Sequence, residues 1–215
     1  KIEKTGHETF ASQLAGYKVI VRDPFFRRVT LMYAFAYTAL VSYQTLWADP
    51  WLRDVAGLTQ TARANCLLAI QIGFLVGLLL TGFAADLLRR TRVQPLHVFA
   101  GGVFLFLGVQ VVLAFGVTTG LTLIWGLFGF LSSSAFLAYA ANTAHFSAAI
   151  TGRVITAMNF CPFVLAFFGQ WGIGGVIEAF PSGSDGGYSK SAHMTALWII
   201  IALQAICYLY LIKPV

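Results

Sequence analysis

The chain has 215 residues, 58% of them hydrophobic and only 10% charged, with a mean hydropathy of +0.77 and a formal net charge of +6. Soluble domains carry about 25% charged residues, so a soluble enzyme, a nucleic-acid-binding domain and a secreted disulfide scaffold are excluded. At about 20 apolar residues per bilayer crossing, the apolar content suffices for roughly six crossings.

Residues 1–25 read as a polar cytoplasmic lead-in or linker, with one amphipathic turn at the membrane surface carried by Phe10, Leu14, Tyr17 and Ile20. This stretch is too polar for a signal peptide, and the opening Lys1 rather than Met fits a piece of a longer protein. Asp23-Pro24 is a helix start signal, since Asp can cap free amides and Pro fits the first helical position. Residues 26–215 then hold six windows free of Asp, Glu, Lys and Arg: about 29–47, 64–85, 96–117, 121–141, 154–177 and 194–212. A charge at mid-bilayer costs about 2.5 to 3.5 kcal/mol, and the alternating ten-residue strands of a membrane barrel are absent. The expected fold is therefore all-α, a polytopic bundle of six membrane helices.

Trp47 and Trp51 flank the outer end of the first window, a place that suits amphipathic rings. The stretch 48–63 contains Pro50 and room for a second short helix. Between the third and fourth windows only Thr118, Thr119 and Gly120 remain, which makes those helices antiparallel neighbours. Residues 181–191 (PSGSDGGYSKS) read as a mobile Gly/Ser-rich loop. Of the fourteen Lys and Arg residues, eleven fall before the first helix, in the second and fourth connections and in the tail, and three in the first and fifth connections. By the positive-inside rule both termini are cytoplasmic, and attraction to anionic lipid is a sufficient reason for the basic excess, with no nucleic-acid partner. Cys66, Cys161 and Cys207 lie inside helices as small apolar fillers. His97, His145 and His193 lie near helix ends without ligand-spaced partners, so neither a metal nor another cofactor is expected.

The most specific local pattern is Gly82-Phe-Ala-Ala-Asp86-Leu-Leu-Arg89-Arg90-Thr-Arg92, at the close of the second helix on the basic side. Here the chain resembles the major facilitator superfamily of transporters, whose G-x-x-x-D-R-x-G-R-R type motif stands in this kind of connection. Gly82, Asp86 and Arg90 keep their places, while Leu87 stands where a basic residue is usual and Arg89 replaces the second Gly. The Gly152-Arg153 pair opening the fifth helix also fits the C-terminal half of that family. The resemblance implies a 3+3 inverted repeat, and Gly82/Asp86 and Gly174/Glu178, each four apart at the ends of the second and fifth helices, echo it. It also implies a cytoplasmic gating latch at Gly82, Asp86, Arg90, Gly152 and Arg153; a local cap at Asp86 and simple lipid anchoring by the arginines is the plainer reading.

Asn159 and Gln170 are eleven residues apart, three helical turns, and share a stripe; Tyr33, Tyr37 and Gln44 make another. The resemblance places the first and fourth helices around a central cavity and the second and fifth against the other half, which nominates Tyr33, Tyr37, Gln44, Tyr139, Asn159 and Gln170 as cavity residues. The alternative for each is a helix-to-helix hydrogen bond, the reading favoured for Gln71, Gln110 and Gln204. Pro162 removes one backbone bond within the fifth helix and predicts a kink near Asn159. Gly73 and Gly77, with Gly169, Gly172, Gly174 and Gly175 and Ser132 to Ser134, predict close helix packing.

The expected function is half of a secondary transporter in a bacterial inner membrane, not an enzyme, moving a small polar molecule by alternating access beside a missing N-terminal six-helix half or a second copy. The alternative is a six-helix accessory subunit of a larger membrane complex that transports nothing.

Overall fold

A computed structural model describes residues 10–88, 93–183 and 186–213, apart from the side chains of residues 10–15, 85, 86 and 88. Helix α1 spans Phe10–Arg22, longer than the single turn expected of the lead-in. Helix α2 spans Pro24–Ser42, continues through a π-helical turn at Tyr43–Trp47, and passes into α3 at Ala48–Asp54. Together they form one rod of about 45 Å at 1.5 Å per residue. Then follow α4 (Gln60–Leu88), α5 (Pro95–Ala114), α6 (Leu121–Ser132), a 3-10 turn at Ser133–Phe136, α7 (Leu137–His145), α8 (Thr151–Glu178) and α9 (Lys190–Ile212). Among the described residues there is no sheet, only an isolated bridge between Ser182 and Tyr188.

Five of these helical stretches, α4, α5, α6 with α7, α8 and α9, are long and apolar enough to cross a membrane, and they mark the chain as an integral membrane protein. The α2–α3 rod has the length but a more polar composition, with Tyr33, Tyr37, Thr38, Ser42 and Gln44 along it. Its position accounts for this: α2 packs against α8, α9, α7 and α6, and eleven of its residues are buried. A helix screened by its neighbours needs less apolar surface than one facing lipid.

Local chemistry sets the boundaries. The Asp23 carboxylate accepts the Phe26 amide at 2.8 Å and Pro24 opens α2. Gln94 and His97 form a reciprocal cap ahead of Pro95, and Ser189 caps α9 through the Ala192 amide. The link between α5 and α6 runs over residues 115–120, and the left-handed Gly116 (φ 72°) and Gly120 (φ 67°) let it turn back, so α5 and α6 pack side by side. The π turn lies just ahead of Pro50. That residue cannot donate to the Leu46 carbonyl, and the ladder widens before it. Pro162, by contrast, sits inside an unbroken α8.

Glycine contacts divide into two groups. A methyl group on Gly73 or Gly77 would strike the backbone of Gly126 or Phe130, and one on Gly129 would strike that of Ile70, so α4 and α6 touch backbone to backbone. Gly169 packs on the Thr38 methyl and Gly174 on the Trp47 ring, whereas a methyl group on Gly82, Gly152, Gly172 or Gly175 would meet nothing within 4 Å. Among the described residues the close approach expected of Gly172 and Gly175 is therefore not made. Ser132, Ser133 and Ser134 each donate to the carbonyl three residues back and tighten the chain into the 3-10 turn.

The two tryptophans expected at the interface face inward instead. Trp47 is 7% and Trp51 0% exposed, and Trp51 meets the buried Trp125 edge to face with centroids 5.7 Å apart. Helix α3 continues the rod into the bundle's end and carries its rings into the core. Gln110 and Gln204, fully buried, exchange two amide hydrogen bonds of 3.2 and 2.7 Å and tie α5 to α9.

Replacing Gly73 with Ala is expected to cost about 1 to 3 kcal/mol by forcing α4 off α6, seen as a lower unfolding temperature in detergent. Gly101→Ala, on a helix face with open space, is expected to leave that temperature unchanged or raised.

Candidate functional site

Several polar residues of the membrane helices are linked by hydrogen bonds and ring contacts where α2 meets α4, α7 and α8. The Tyr33 and Tyr139 hydroxyls lie 3.3 Å apart, and Tyr139 donates in turn to the Asn159 amide oxygen. Tyr37 stands beside Tyr33, with ring centroids 5.9 Å apart, and meets Phe136 and Phe163 edge to face. Toward the α3 end of the rod, Gln44 donates to Gln71 at 2.7 Å and Gln170 donates to Thr45 at 3.0 Å. These contacts join the six nominated residues into one polar region, the trough, where α2 and its π turn meet α7, α4 and α8; within it Tyr33 is buried, Tyr37, Gln44, Tyr139 and Gln170 are half-buried and Asn159 is exposed.

The π turn shapes that region. It turns Tyr43 and Trp47 into the core while Gln44 stays half-buried and Thr45 exposed. Asn159 and Gln71 are exposed, and Phe163 is 65% exposed on α8. Each amide pair satisfies one bond and leaves further donor and acceptor capacity for water or a bound molecule. No formal charge stands in the trough among the described residues, so its chemistry is that of aromatic faces, hydroxyls and amides.

Gln71 makes the helix-to-helix bond expected of it, to Gln44, and Thr45, Phe74, Phe136 and Phe163 join the same region without having stood out in the sequence. Gln71 and Phe74 are three apart on one α4 face, a readable spacing that is easily lost among apolar neighbours. The latch residues are more dispersed. Gly82 and Asp86 lie on the last turns of α4, while Arg90 falls outside the described residues. Gly152 is exposed on the first turn of α8, and the Arg153 side chain lies over Gly16 of α1.

A second polar cluster, at the α3 end, was not legible in the sequence. Asp54, 5% exposed at its side chain, accepts from Arg53 Nε at 2.6 Å, from the Tyr188 amide at 3.0 Å and from His193 Nε2 at 3.1 Å. Burial pushes the Asp54 carboxyl up, but the hydrogen bonds from Arg53, His193 and the Tyr188 amide outweigh it and hold the group below the usual carboxylate range. Beside it Asp49 pairs with Arg63 at 2.7 Å. At the opposite end His145 lies 3.3 Å from Asp23 and stacks on Phe25. Among the described residues no group of three His, Cys, Asp or Glu could hold a metal ion. No protein-family model matches this chain, and no curated protein matches it.

Removing the Asp54 carboxylate leaves Arg53, His193 and the Tyr188 amide without their shared acceptor, and Asp54→Ala is expected to destabilise the fold by about 3 to 5 kcal/mol. Because the folded-state value is depressed, this contribution is complete above the ordinary carboxylate value of 3.8 and is lost as pH falls through the lower folded value. Thermal unfolding in detergent across acidic pH, with Asp49→Ala as comparison, measures both effects.

Proposed function

We propose that this chain is the C-terminal, six-crossing half of a transporter of the major facilitator type, moving a small polar solute by alternating access. Residues 29–47, in α2 and its π turn, supply the sixth crossing, and the six are read as a 3+3 inverted repeat. The observation that carries this reading is the set of polar contacts that links α2 and its π turn to α4, α7 and α8. Polar side chains on membrane helices cannot face hydrocarbon without losing hydrogen bonds worth several kcal/mol, so Thr45, Gln71 and Asn159, exposed in the isolated chain, need water or protein in front of them.

Two further features support it. Only 17% of the most apolar window of α4 and 22% of that of α8 is buried, against 33% to 56% for the other three spans. These are the second and fifth crossings, the pair that would meet a second bundle across a shared cavity. Gly82 and Gly152 are exposed, and among the described residues a methyl group on either would meet nothing within 4 Å, which fits a close partner on the same helices. The partner in this reading is a missing N-terminal half or a second copy, and the molecule carried is a neutral or locally neutral polar solute. Arg28 Nη1 donates to the Lys213 carbonyl at 2.6 Å and brings the start of α2 to the end of α9. With the basic excess on those connections, this supports cytoplasmic placement of both ends in a bacterial inner membrane.

The native assembly is expected to have a mass near twice 23.4 kDa, and cysteines placed at Leu79 and Phe167 should cross-link to a second six-helix bundle. Cross-links only to unrelated subunits, or none with α4 and α8 open to lipid, would instead identify an accessory subunit. In proteoliposomes screened with radiolabelled polar solutes, the Asn159→Leu, Gln170→Leu double variant should lower uptake about tenfold or more, the equivalent of about 1.4 kcal/mol of lost contact. Unchanged uptake would remove the trough from the transport path.

A further inference from the structure

We propose that the cleft where the starts of α2 and α5 meet the end of α9 is a binding site for an anionic phospholipid, its headgroup phosphate held by Arg28, His97 and Lys213 and an acyl chain laid on the apolar wall beside them. The site requires that these helices lie in a membrane and is independent of whether the bundle transports a solute.

Helix α9 packs on both α5 and α2. At this end the three helices leave a cavity of about 420 Å³, within the roughly 300 to 1,000 Å³ of small-molecule sites. Its lining divides by chemistry: Arg28, His97 and Lys213 supply the polar part, and Val29, Leu96, Ala100 and Leu211 the apolar part. The division follows position along the helices. Arg28 stands immediately before the charge-free stretch 29–47, Lys213 immediately after 194–212, and His97 in the first turn of α5. Both α5 and α9 are long and apolar enough to cross a membrane, so the cavity straddles the level at which a bilayer passes from headgroups to hydrocarbon. A water-soluble anion would use only the polar half, whereas a phospholipid uses both.

The charge of the cleft is unbalanced. Arg28 Nη1 donates to the Lys213 carbonyl at 2.6 Å, which ties the start of α2 to the end of α9 and leaves the other guanidinium donors unspent. Among the described residues neither Arg28 nor Lys213 pairs with a carboxylate, and no acidic residue lines the cavity. Asp23, the acid nearest to Arg28 in sequence, is engaged elsewhere: it accepts the Phe26 amide at 2.8 Å and lies 3.3 Å from His145. His97 Nδ1 accepts the Gln94 amide at 3.3 Å, so the neutral ring carries its proton on Nε2 and offers a third donor. Arg28 is half-buried, while His97 and Lys213 are exposed and can be reached from the headgroup layer. Cationic donors beside an apolar wall match a phosphate on a lipid, since charge-assisted bonds to phosphate strengthen where water is thinned and basic pockets between membrane helices hold anionic headgroups. A zwitterionic headgroup adds an ammonium that the same cations repel, which selects lipids of net negative charge.

The test uses the intact native assembly in phosphatidylcholine nanodiscs doped with phosphatidylglycerol that carries a diazirine in its acyl chain. Illumination and peptide mass spectrometry locate the adducts. They are expected on Leu96, Ala100 and Leu211, displaced by unlabelled phosphatidylglycerol but not by the same concentration of inorganic phosphate. The Arg28→Gln, Lys213→Gln double variant should raise the phosphatidylglycerol content needed for half-maximal labelling about thirtyfold, and Lys213→Gln alone, which keeps the Arg28 bond to the main chain, about fivefold. Arg22→Gln with Arg27→Gln removes the same charge from exposed positions outside the cavity and should leave labelling unchanged. Ala100→Phe, which fills the apolar wall and alters no charge, should abolish the adducts on Leu96 and Leu211. Labelling that unlabelled phosphatidylglycerol displaces no better than phosphatidylcholine overturns the proposal, and displacement by inorganic phosphate replaces the lipid with a free anion. Equal shifts in the two double variants would reduce the effect to general surface charge and overturn it, as would full labelling in Ala100→Phe.

Discussion

Hydrocarbon offers no hydrogen bonds, and in a chain with eight acidic and fourteen basic residues this limits every polar group to one of three places: a paired interior, a helix end or a surface that meets water or protein. Gln110 and Gln204 take the first course, sharing two bonds in a buried pair between α5 and α9. Asp23, Asp49 and Asp54 take the second. Gln44, Thr45, Gln71, Asn159 and Gln170 take the third, and their contacts where α2 and its π turn meet α4, α7 and α8 give the bundle a polar region that lipid alone could not cover. The proposed transport reading grows out of that region.

The α2–α3 rod translates this constraint into architecture. Because α8, α9, α7 and α6 surround α2, it can carry tyrosines and amides at a density that a lipid-facing helix could not. The same rod bears part of the trough at its middle and the Asp54 carboxylate at its end, with the π turn between them setting which side chains face in. Helix α4 is held to α6 through glycines that bring the two backbones into contact, while α8 rests on α2 and α9.

Five of the six expected windows were legible in the sequence because a mid-bilayer charge is so costly that its absence marks each of them; the first, 29–47, falls on a helix that is not apolar enough to count with the five. The structure extends the second window to Gln60–Leu88 and breaks the fourth with a 3-10 turn. The residues that stripe arithmetic joins, Asn159 with Gln170 and Tyr33 with Tyr37, also lie in one polar region. Trp51 departs from its expected interface position because interface tryptophans and core tryptophans have the same sequence setting, a ring just beyond an apolar run. Only the packing against Trp125 distinguishes them.

The count of apolar residues and the siting of charges thus determined by themselves that this is a helical membrane protein. Periodicity determined which polar residues share a helix face, since that depends only on 3.6 residues per turn. The tertiary structure decided which faces meet. Asp54 and His193 are 139 positions apart, and no local rule predicts their contact, because it follows from how α3 and α9 are brought together by the packing of all the helices between them. A carboxylate that looks like an ordinary connection residue in the sequence becomes a buried acceptor of four hydrogen bonds only when those elements converge.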